Sequence, residues 1–360
     1  MLVYFVVLFV VVVCAQVAGK TRAYPAVSRL FLFIAFAVMV LAAGMRNRSV
    51  GTDTGSYVGY FNDLHAFGDV AALTNKMGEH GFWMLTWLVR QMSNQYVVYL
   101  LVIAVIVVGC FERAIVINST HIVISFFVFI TMGFYSFFFN GARQGIATSI
   151  VCLAIGPLLE HNFKKYLAYV LLAYLFHKTA IVMLPLYFVF NRPNTVRNNL
   201  IVAIIGCFTA LFFRTIVESA SHIDARYMDY YPLPSDPGGG YLYTGFIMVL
   251  GVFFLIFKNS VRVDRVRYDR FLNMFLFGMM IGIVSSLLKA EPSGMLRFGL
   301  YFNLAAVFLW PIVFQNLPDR LSKFAVGYSF VVGYLLYFAG TTQLWSDLAP
   351  YRFNASVFLR

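Results

Sequence analysis

Residues 1–18 read MLVYFVVLFVVVVCAQVA, an apolar run without a single charged side chain. A helix needs about 20 such residues to cross the hydrocarbon core of a bilayer. Further apolar runs follow at about 26–44, 95–117, 121–139, 144–159, 166–190, 199–217, 241–257, 270–289, 295–316 and 323–340. The runs are continuous and do not alternate with polar residues, which predicts spanning helices and excludes a barrel. We therefore expect an all-α, polytopic transmembrane bundle of about 10–12 membrane segments, forming one integral membrane domain over 1–360.

The amino-acid composition also indicates an integral membrane protein. Hydrophobic residues make up 61% of the chain and charged residues 12%, against about 45–50% and about 25% in soluble domains. The net charge of +12 comes from Lys and Arg in short loops between the runs. That distribution indicates the positive-inside rule and contact with membrane lipid, and it argues against nucleic acid as a partner. Each of the four cysteines lies inside an apolar run, without the spacing of a zinc site. No basic residue precedes the first run, which favours a transmembrane helix over a cleaved signal peptide.

Basic residues on both sides of the run at 166–190 constrain the topology. A lysine pair at 164–165 precedes it and Arg192 follows it, and both favour the cytoplasmic side. The run is long for one span and short for two. We predict a re-entrant hairpin whose tip is His177. The alternative is a single tilted helix, which would place the five basic residues of 258–270 outside.

The hairpin topology gives the non-cytoplasmic face many cations. It places there the two long polar intervals, 45–80 and 218–240, together with the short polar turns between runs. The positive-inside rule expects few Lys and Arg on that face, and ionisable residues at the membrane edge are functional candidates by default. The candidate cations are Arg46, Arg48, Arg143, Lys178, Arg226 and Arg297.

The first group of candidate residues consists of Arg46 and Arg48, followed by Asp53 and Tyr57. The planar guanidinium fork of arginine matches phosphate oxygens. Asp53 or Thr54 is placed to cap a helix that carries Tyr57 at the headgroup level. An amphipathic helix with a capped start explains Asp53 and Tyr57 equally well, but it does not explain two arginines at the outer end of a helix.

Arg143 and His177 are the next candidates. Arg143 follows a tight turn and begins a helix, where the helix dipole disfavours a cation. Either it shares an anion site with the free backbone N–H groups of that helix start, or it snorkels to the headgroups. His177 precedes Lys178, whose charge favours a neutral imidazole that accepts a proton. The alternative for His177 is a structural histidine.

The last third repeats the pattern of helix end, polar break and arginine, with Arg297 followed by Tyr301. Arg226 precedes a loop rich in Pro and Gly that we interpret as a lid. The sequence contains no Asp-x-Asp pair, no Walker A loop and no zinc spacing. We therefore expect metal-free chemistry in which arginine supplies the positive charge.

Four short motifs occur in order along the chain: GTDTGSY at 51–57, EHGF at 79–82, GARQGIA at 141–147 and HKTA at 177–180. In this order and spacing, over most of its length, the chain resembles the EpsG-like branch of the Wzy-type bacterial polysaccharide polymerases, which make O-antigen or exopolysaccharide. The resemblance implies a GT-C-like helical fold in the bacterial inner membrane, with an active site that faces the periplasm.

The resemblance also implies a reaction. Such enzymes transfer a growing glycan from undecaprenyl diphosphate to the non-reducing end of the next lipid-linked repeat unit. The undecaprenyl-diphosphate-linked oligosaccharide is thus donor and acceptor, a chain-length regulator protein is a further expected partner, and no cofactor is expected. The alternatives are a flippase for lipid-linked oligosaccharides, although no internal repeat is visible, and a membrane acyltransferase that acts on surface glycans.

Each candidate residue then receives an expected role. Arg46, Arg143 and Arg297 hold the diphosphate, because arginines neutralise a leaving diphosphate. His177 is the base that takes the proton from the attacking sugar hydroxyl, and Glu79 or Asp53 orients it or replaces it. Further expected contacts of the diphosphate or the glycan are Arg48, Lys178, Arg226, Tyr57 and Tyr301.

Overall fold

In a computed structural model, the apolar runs fold into a bundle of helices. The structure describes residues 1–65, 67–212, 238–288, 294, 296–344 and 346–354. Within these residues, eight helices are long and apolar enough to cross a membrane, and three shorter apolar helices accompany them. The described residues include no strand, only an isolated bridge between Arg46 and Phe353. The predicted all-α, multi-pass membrane bundle is confirmed.

The helices are numbered here in chain order. They are α1 Leu2–Lys20, α2 Pro25–Gly44, α3 Thr54–Asp63, α4 Phe67–Met77, α5 His80–Met92, α6 Tyr96–Asn118, α7 Ile122–Thr131, α8 Phe134–Phe137, α9 Ala142–Leu159, α10 Phe163–Phe176, α11 Met183–Phe190, α12 Val196–Leu211, α13 Gly238–Phe257, α14 Arg265–Leu287, α15 Arg297–Asn303, α16 Ala306–Asn316 and α17 Arg320–Leu344. Short 3-10 helices cover Lys178–Val182 and Lys258–Ser260.

Some of the predicted runs are divided in the structure. The run at 121–139 breaks at Gly133 into α7 and α8, and the run at 295–316 breaks after Asn303. The polar interval 45–80 contains two short helices: α3, which begins at Thr54 and carries Tyr57 as predicted, and α4, which was not predicted. Of the interval 218–240, only the last three residues are described, and they begin α13.

The spans form an inner and an outer group. In α9, in α14 and in the span over Arg297–Asn316, 78%, 72% and 89% of the spanning window is buried. The other five long spans are between 22% and 44% buried, so their remaining surface is left for lipid. The α9 helix packs against α6 on one side and α10 on the other. Its first turn is largely enclosed, since Ala142, Gln144 and Gly145 are buried and Arg143 is partly buried.

The chain reverses direction within the run at 166–190. His177 has an extended backbone that ends α10, and the 3-10 helix then returns along it. The Tyr166 hydroxyl donates to the carbonyl of Met183 at 2.7 Å, and the ring centroids of Tyr166 and Tyr187 lie 4.9 Å apart. The predicted hairpin, with His177 at its tip, is confirmed as a chain reversal, and the single tilted helix is excluded.

Candidate active site

Glu79 is the centre of a buried cluster of charges. Its Oε2 lies 2.6 Å from Nη1 of Arg143, and its Oε1 lies 2.5 Å from Nδ1 of His177. The Glu79 side chain is 4% exposed, whereas those of Arg143 and His177 are 23% and 17% exposed. Charge-assisted hydrogen bonds of this kind are short and strong, and low solvent access strengthens them further. The carboxylate is enclosed while both of its partners keep an open side.

The backbone at Glu79 is unusual and brings the carboxylate inward. Glu79 has φ 62° and follows Gly78, which has φ 64°. A non-glycine residue in the left-handed region costs about 1–3 kcal/mol, and such residues cluster at functional sites. Gly78 also lies against the end of the Lys178 side chain, which a Cβ at position 78 would displace. The tight turn thus places Lys178 beside the cluster.

The EHGF motif also brings α5 to the tip of the hairpin. A Cβ on Gly81 would lie 3.0 Å from the carbonyl oxygen of Leu175, near the end of α10. That distance is shorter than nine in ten real Cβ contacts. Glycine therefore permits the close approach that joins Glu79 to His177.

The hydrogen bond to Glu79 fixes how His177 presents its ring. Glu79 is an acceptor when ionised, and Arg143 favours the ionised form. We therefore assign the imidazole proton to Nδ1, which donates to Glu79. Nε2 is then left as the acceptor of the neutral ring. This is the arrangement in which a carboxylate orients a histidine for general base catalysis.

A second ion pair lies nearer the surface. Nη1 of Arg297, in the first turn of α15, is 3.3 Å from Oδ2 of Asp53. These two side chains are 30% and 35% exposed. Asp53 occupies the predicted capping position of α3, but its carboxylate makes no capping hydrogen bond there. It is directed to Arg297 instead.

Tyr57 and Gln144 connect the two ion pairs. The Tyr57 hydroxyl is hydrogen-bonded to Arg143 and feels the charges of Asp53 and Arg297. Burial raises the pKa of the Tyr57 phenol, and Arg143 opposes that rise, so the phenol keeps its proton. Nε2 of Gln144 donates to the carbonyl of Arg297 at 2.7 Å. The starts of α9 and α15 are therefore tied together.

The sequence comparison agrees with this convergence of motifs. A sequence model of the EpsG family matches residues 29–353. The chain belongs to the EpsG family. EpsG is a family of Wzy-like polysaccharide polymerases, and the match includes all four motifs and Arg297. No curated protein and no solved structure matches the chain.

Two site residues of this EpsG chain were not singled out from its sequence. Gln144 follows Arg143 and donates to the carbonyl of Arg297. The Thr179 hydroxyl donates to that of Tyr301 at 3.3 Å. Both lie within the quoted motifs GARQGIA and HKTA, which is the signal that could have found them. Tyr301 itself is fully buried, so it packs against the hairpin tip inside the bundle and does not face a substrate.

Two of the predicted cations within the described residues, Arg46 and Arg48, do not join the cluster. Arg46 is 1% exposed, and its guanidinium stacks on the ring of Phe139, with Cζ 4.1 Å from the ring centroid. Burial lowers the pKa of Arg46 to about 10. Arg48 is exposed on the neighbouring loop. The third predicted cation, Arg226, lies outside the described residues.

The described residues of this EpsG chain hold no group of three or more His, Cys, Asp and Glu side chains suited to a metal ion. In the site, Glu79 faces Arg143 and His177, and Asp53 faces Arg297. Arg143, Arg297 and the neighbouring Lys178 are thus the positive charges that the described part of the site offers to an anion.

Proposed function

We propose that this chain extends a glycan on the periplasmic face of the bacterial inner membrane. The growing glycan moves from undecaprenyl diphosphate to the non-reducing end of the next lipid-linked repeat unit. The observation that carries the proposal is the position of Glu79 between His177 and Arg143. One carboxylate thereby joins a base to a cation, which are the two groups that glycosyl transfer from a diphosphate needs.

The base in this proposal is Nε2 of His177. It takes the proton from the attacking sugar hydroxyl while the hydroxyl oxygen bonds to the anomeric carbon of the donor. The bond between that carbon and the diphosphate oxygen breaks, and the diphosphate leaves with the electron pair. Glu79 holds the ring in the productive tautomer and stabilises the imidazolium that forms.

The leaving diphosphate is stabilised by Arg143 and Arg297, whose side chains are partly exposed. Preorganised cations aimed at developing charge are usually the largest single contribution to a rate. The Tyr57 hydroxyl and the amine of Lys178 are neighbouring donors. The proposed reaction needs no divalent metal, because two arginines supply the charge and both carboxylates already face cations.

The test is polymerisation by purified protein. The chain is incubated in detergent with a lipid-linked repeat unit and excess chelator, and products are separated by size. We expect a ladder of glycans, and a strongly reduced ladder from Glu79→Gln protein at matched concentration and monodispersity. Acylated units in this assay, or single units moved across the bilayer of proteoliposomes without extension, would overturn the polymerase proposal. Loss of the ladder in chelator, with rescue by magnesium or manganese, would overturn its metal independence.

The face of the membrane needs its own test. Lys178→Cys is made in a background without the native cysteines Cys14, Cys110, Cys152 and Cys207, after that background has been shown to polymerise. We expect an impermeant thiol reagent to react with intact cells from the outside. Reaction only from the cytoplasmic side would overturn the proposed orientation.

A further inference from the structure

Arg46 is a fully buried arginine that the proposed chemistry does not use. Its Nη1 donates to the carbonyl of Ala43, in the last turn of α2, and its Nε donates to Oγ1 of Thr54 at 3.3 Å. One face of the guanidinium covers the ring of Phe139. Burying a charge is costly unless each polar group finds a partner. This side chain is therefore retained in the interior by contacts to three separate segments of the chain.

Thr54 is the centre of these contacts. Its hydroxyl accepts from Arg46 and donates to the carbonyl of Phe139 at 3.0 Å. Thr54 directly follows Asp53, which holds Arg297, and Phe139 lies in the turn before Arg143. In the same turn, Oδ1 of Asn140 accepts from the backbone N–H of Thr52 at 2.9 Å. The 52–54 loop and the turn at 139–140 are thus joined at two points.

The C-terminal segment holds the backbone around Arg46 in place. The N–H of Asn47 donates to the carbonyl of Arg352 at 2.8 Å, and the N–H of Asn354 donates to that of Met45 at 2.9 Å. Nδ2 of Asn140 donates to the carbonyl of Ser346 at 2.9 Å. Both sides of the junction are therefore fixed to the same segment, so the Arg46 side chain extends from a rigid base.

We propose that Arg46 is a positioning residue, which clamps Thr54 against Phe139 and thereby sets the separation between Asp53–Arg297 and Arg143. The inference rests on the proposed polymerase function for its effect on rate. Arginine suits the role because it donates in two directions while its flat face covers an aromatic ring. Lysine has a compact ammonium and cannot reproduce both hydrogen bonds and the stacking.

Kinetics separate positioning from substrate binding. We expect Arg46→Lys to lower kcat about tenfold and to leave KM for the lipid-linked unit nearly unchanged, because small misplacements of reacting groups cost rate without removing a substrate contact. Thr54→Val, which replaces the hydroxyl with a methyl group of similar size, should have the same effect, and Thr54→Ser, which keeps the hydroxyl, should retain the rate. The matched control is Arg192→Lys, on an exposed arginine away from the site. A raised KM in Arg46→Lys with normal kinetics in Thr54→Val would overturn the inference.

A double-mutant cycle tests whether Arg46 acts through Asp53. If it does, Arg46→Lys should lower kcat by less than about twofold once Asp53→Asn is present, whereas independent sites give multiplying losses. Multiplying losses would overturn the inference.

Hydrogen exchange provides a readout that does not depend on polymerisation. We expect the amides of residues 51–57 to exchange faster in Arg46→Lys and in Thr54→Val than in the wild type, with no change in Arg192→Lys. Unchanged exchange in both variants would overturn the clamp whatever the ladder assay shows. Absence of a ladder from the wild type would instead overturn the proposed function.

Discussion

An arginine and a histidine lie near each end of α9, but the two pairs make different contacts. At the first turn, Arg143 and His177 lie on either side of Glu79. At the last turn, Arg270 donates to the carbonyl of Leu159 at 2.7 Å and contacts Nε2 of His161 directly. A cation is favoured at a helix C-terminus and disfavoured at an N-terminus. Arg270 thus occupies a naturally stable position, whereas Arg143 is placed against the dipole and depends on a carboxylate.

The neighbours of these arginines strengthen the contrast. Around Arg270, the basic side chains of Lys258, Arg265 and Arg267 donate to backbone carbonyls. Donors used in this way stabilise the packing of neighbouring chain segments. At the other end, Arg143 and Arg297 bind carboxylates and keep partly exposed sides. The comparison teaches that neither buried charge nor an ion pair alone marks a site, because Arg265 also pairs with Asp269 at 3.0 Å. The first turn of α9 differs because one carboxylate, Glu79, binds an arginine and a histidine together.

Replacing the histidine at each end should give the largest difference. We expect His177→Asn to lower the rate of glycan extension by about 10²–10⁴-fold, which is the typical contribution of a general base. His161→Asn is the matched control and should keep a rate close to wild type, since asparagine tolerates the left-handed backbone at His161. Initial rates at saturating lipid-linked unit are the measurement. Equal losses in the two variants would remove the distinction between the ends.

Replacing the arginines should give the next largest effect. Arg143→Lys keeps the charge but loses the bidentate geometry, so we expect a loss of about 10²–10³ in rate. Arg270→Lys should retain the rate and lower the free energy of unfolding by about 1 kcal/mol through its lost hydrogen bond. Both proteins must remain monodisperse after extraction. A near wild-type ladder from Arg143→Lys would make Arg143 an interfacial anchor.

Asp53→Asn should have a smaller effect. The amide still accepts a hydrogen bond from Arg297 but loses the charge, and the pair is about one-third exposed, which weakens it. We expect a rate about tenfold lower, equivalent to about 1.4 kcal/mol. Steady-state kinetics of the purified variant provide the check. A loss as large as that of His177→Asn would instead indicate that Asp53 is itself the base.

The smallest effect on activity is expected from Asn273→Ala, at the Arg270 end. Asn273 is fully buried, donates to the carbonyl of Arg192 and accepts from Asn194. Its loss leaves buried polar groups unsatisfied, so the free energy of unfolding should fall by about 1–3 kcal/mol. The rate per folded molecule should not change. Thermal unfolding in detergent and rate measurements on the same sample decide this, and a specific loss of rate would extend the site across the bundle.

Much of the fold was predictable because the bilayer leaves few choices. Continuous apolar runs predict helices, and the basic residues on both sides of 166–190 predicted the reversal at His177. The breaks at Gly133 and after Asn303 were not predicted, since an apolar run carries no signal for where tertiary packing interrupts a helix. The helices α3 and α4 were only partly anticipated, because short amphipathic segments resemble loops in composition.

The site was predictable as a set of residues but not as a set of contacts. Asp53, Glu79, Arg143, His177 and Arg297 were all candidates, and the structure brings them together. The sequence did not show that Glu79 is the shared partner, because that depends on the left-handed turn at Gly78 and Glu79. The sequence also did not show that Arg46 is buried away from the ion pairs while Arg143 joins one. The stacking of Arg46 on Phe139 exists only in the folded chain.

The central claim is that Glu79 and His177 act as one unit. The most direct test compares the rate of glycan extension by Glu79→Gln, by His177→Asn and by the double variant, all purified to equal monodispersity. Residues that work as a unit show strongly non-additive losses. We therefore predict that the double variant is no slower than the slower of the two single variants. Losses that multiply in the double variant would contradict the claim and separate the two residues into independent roles.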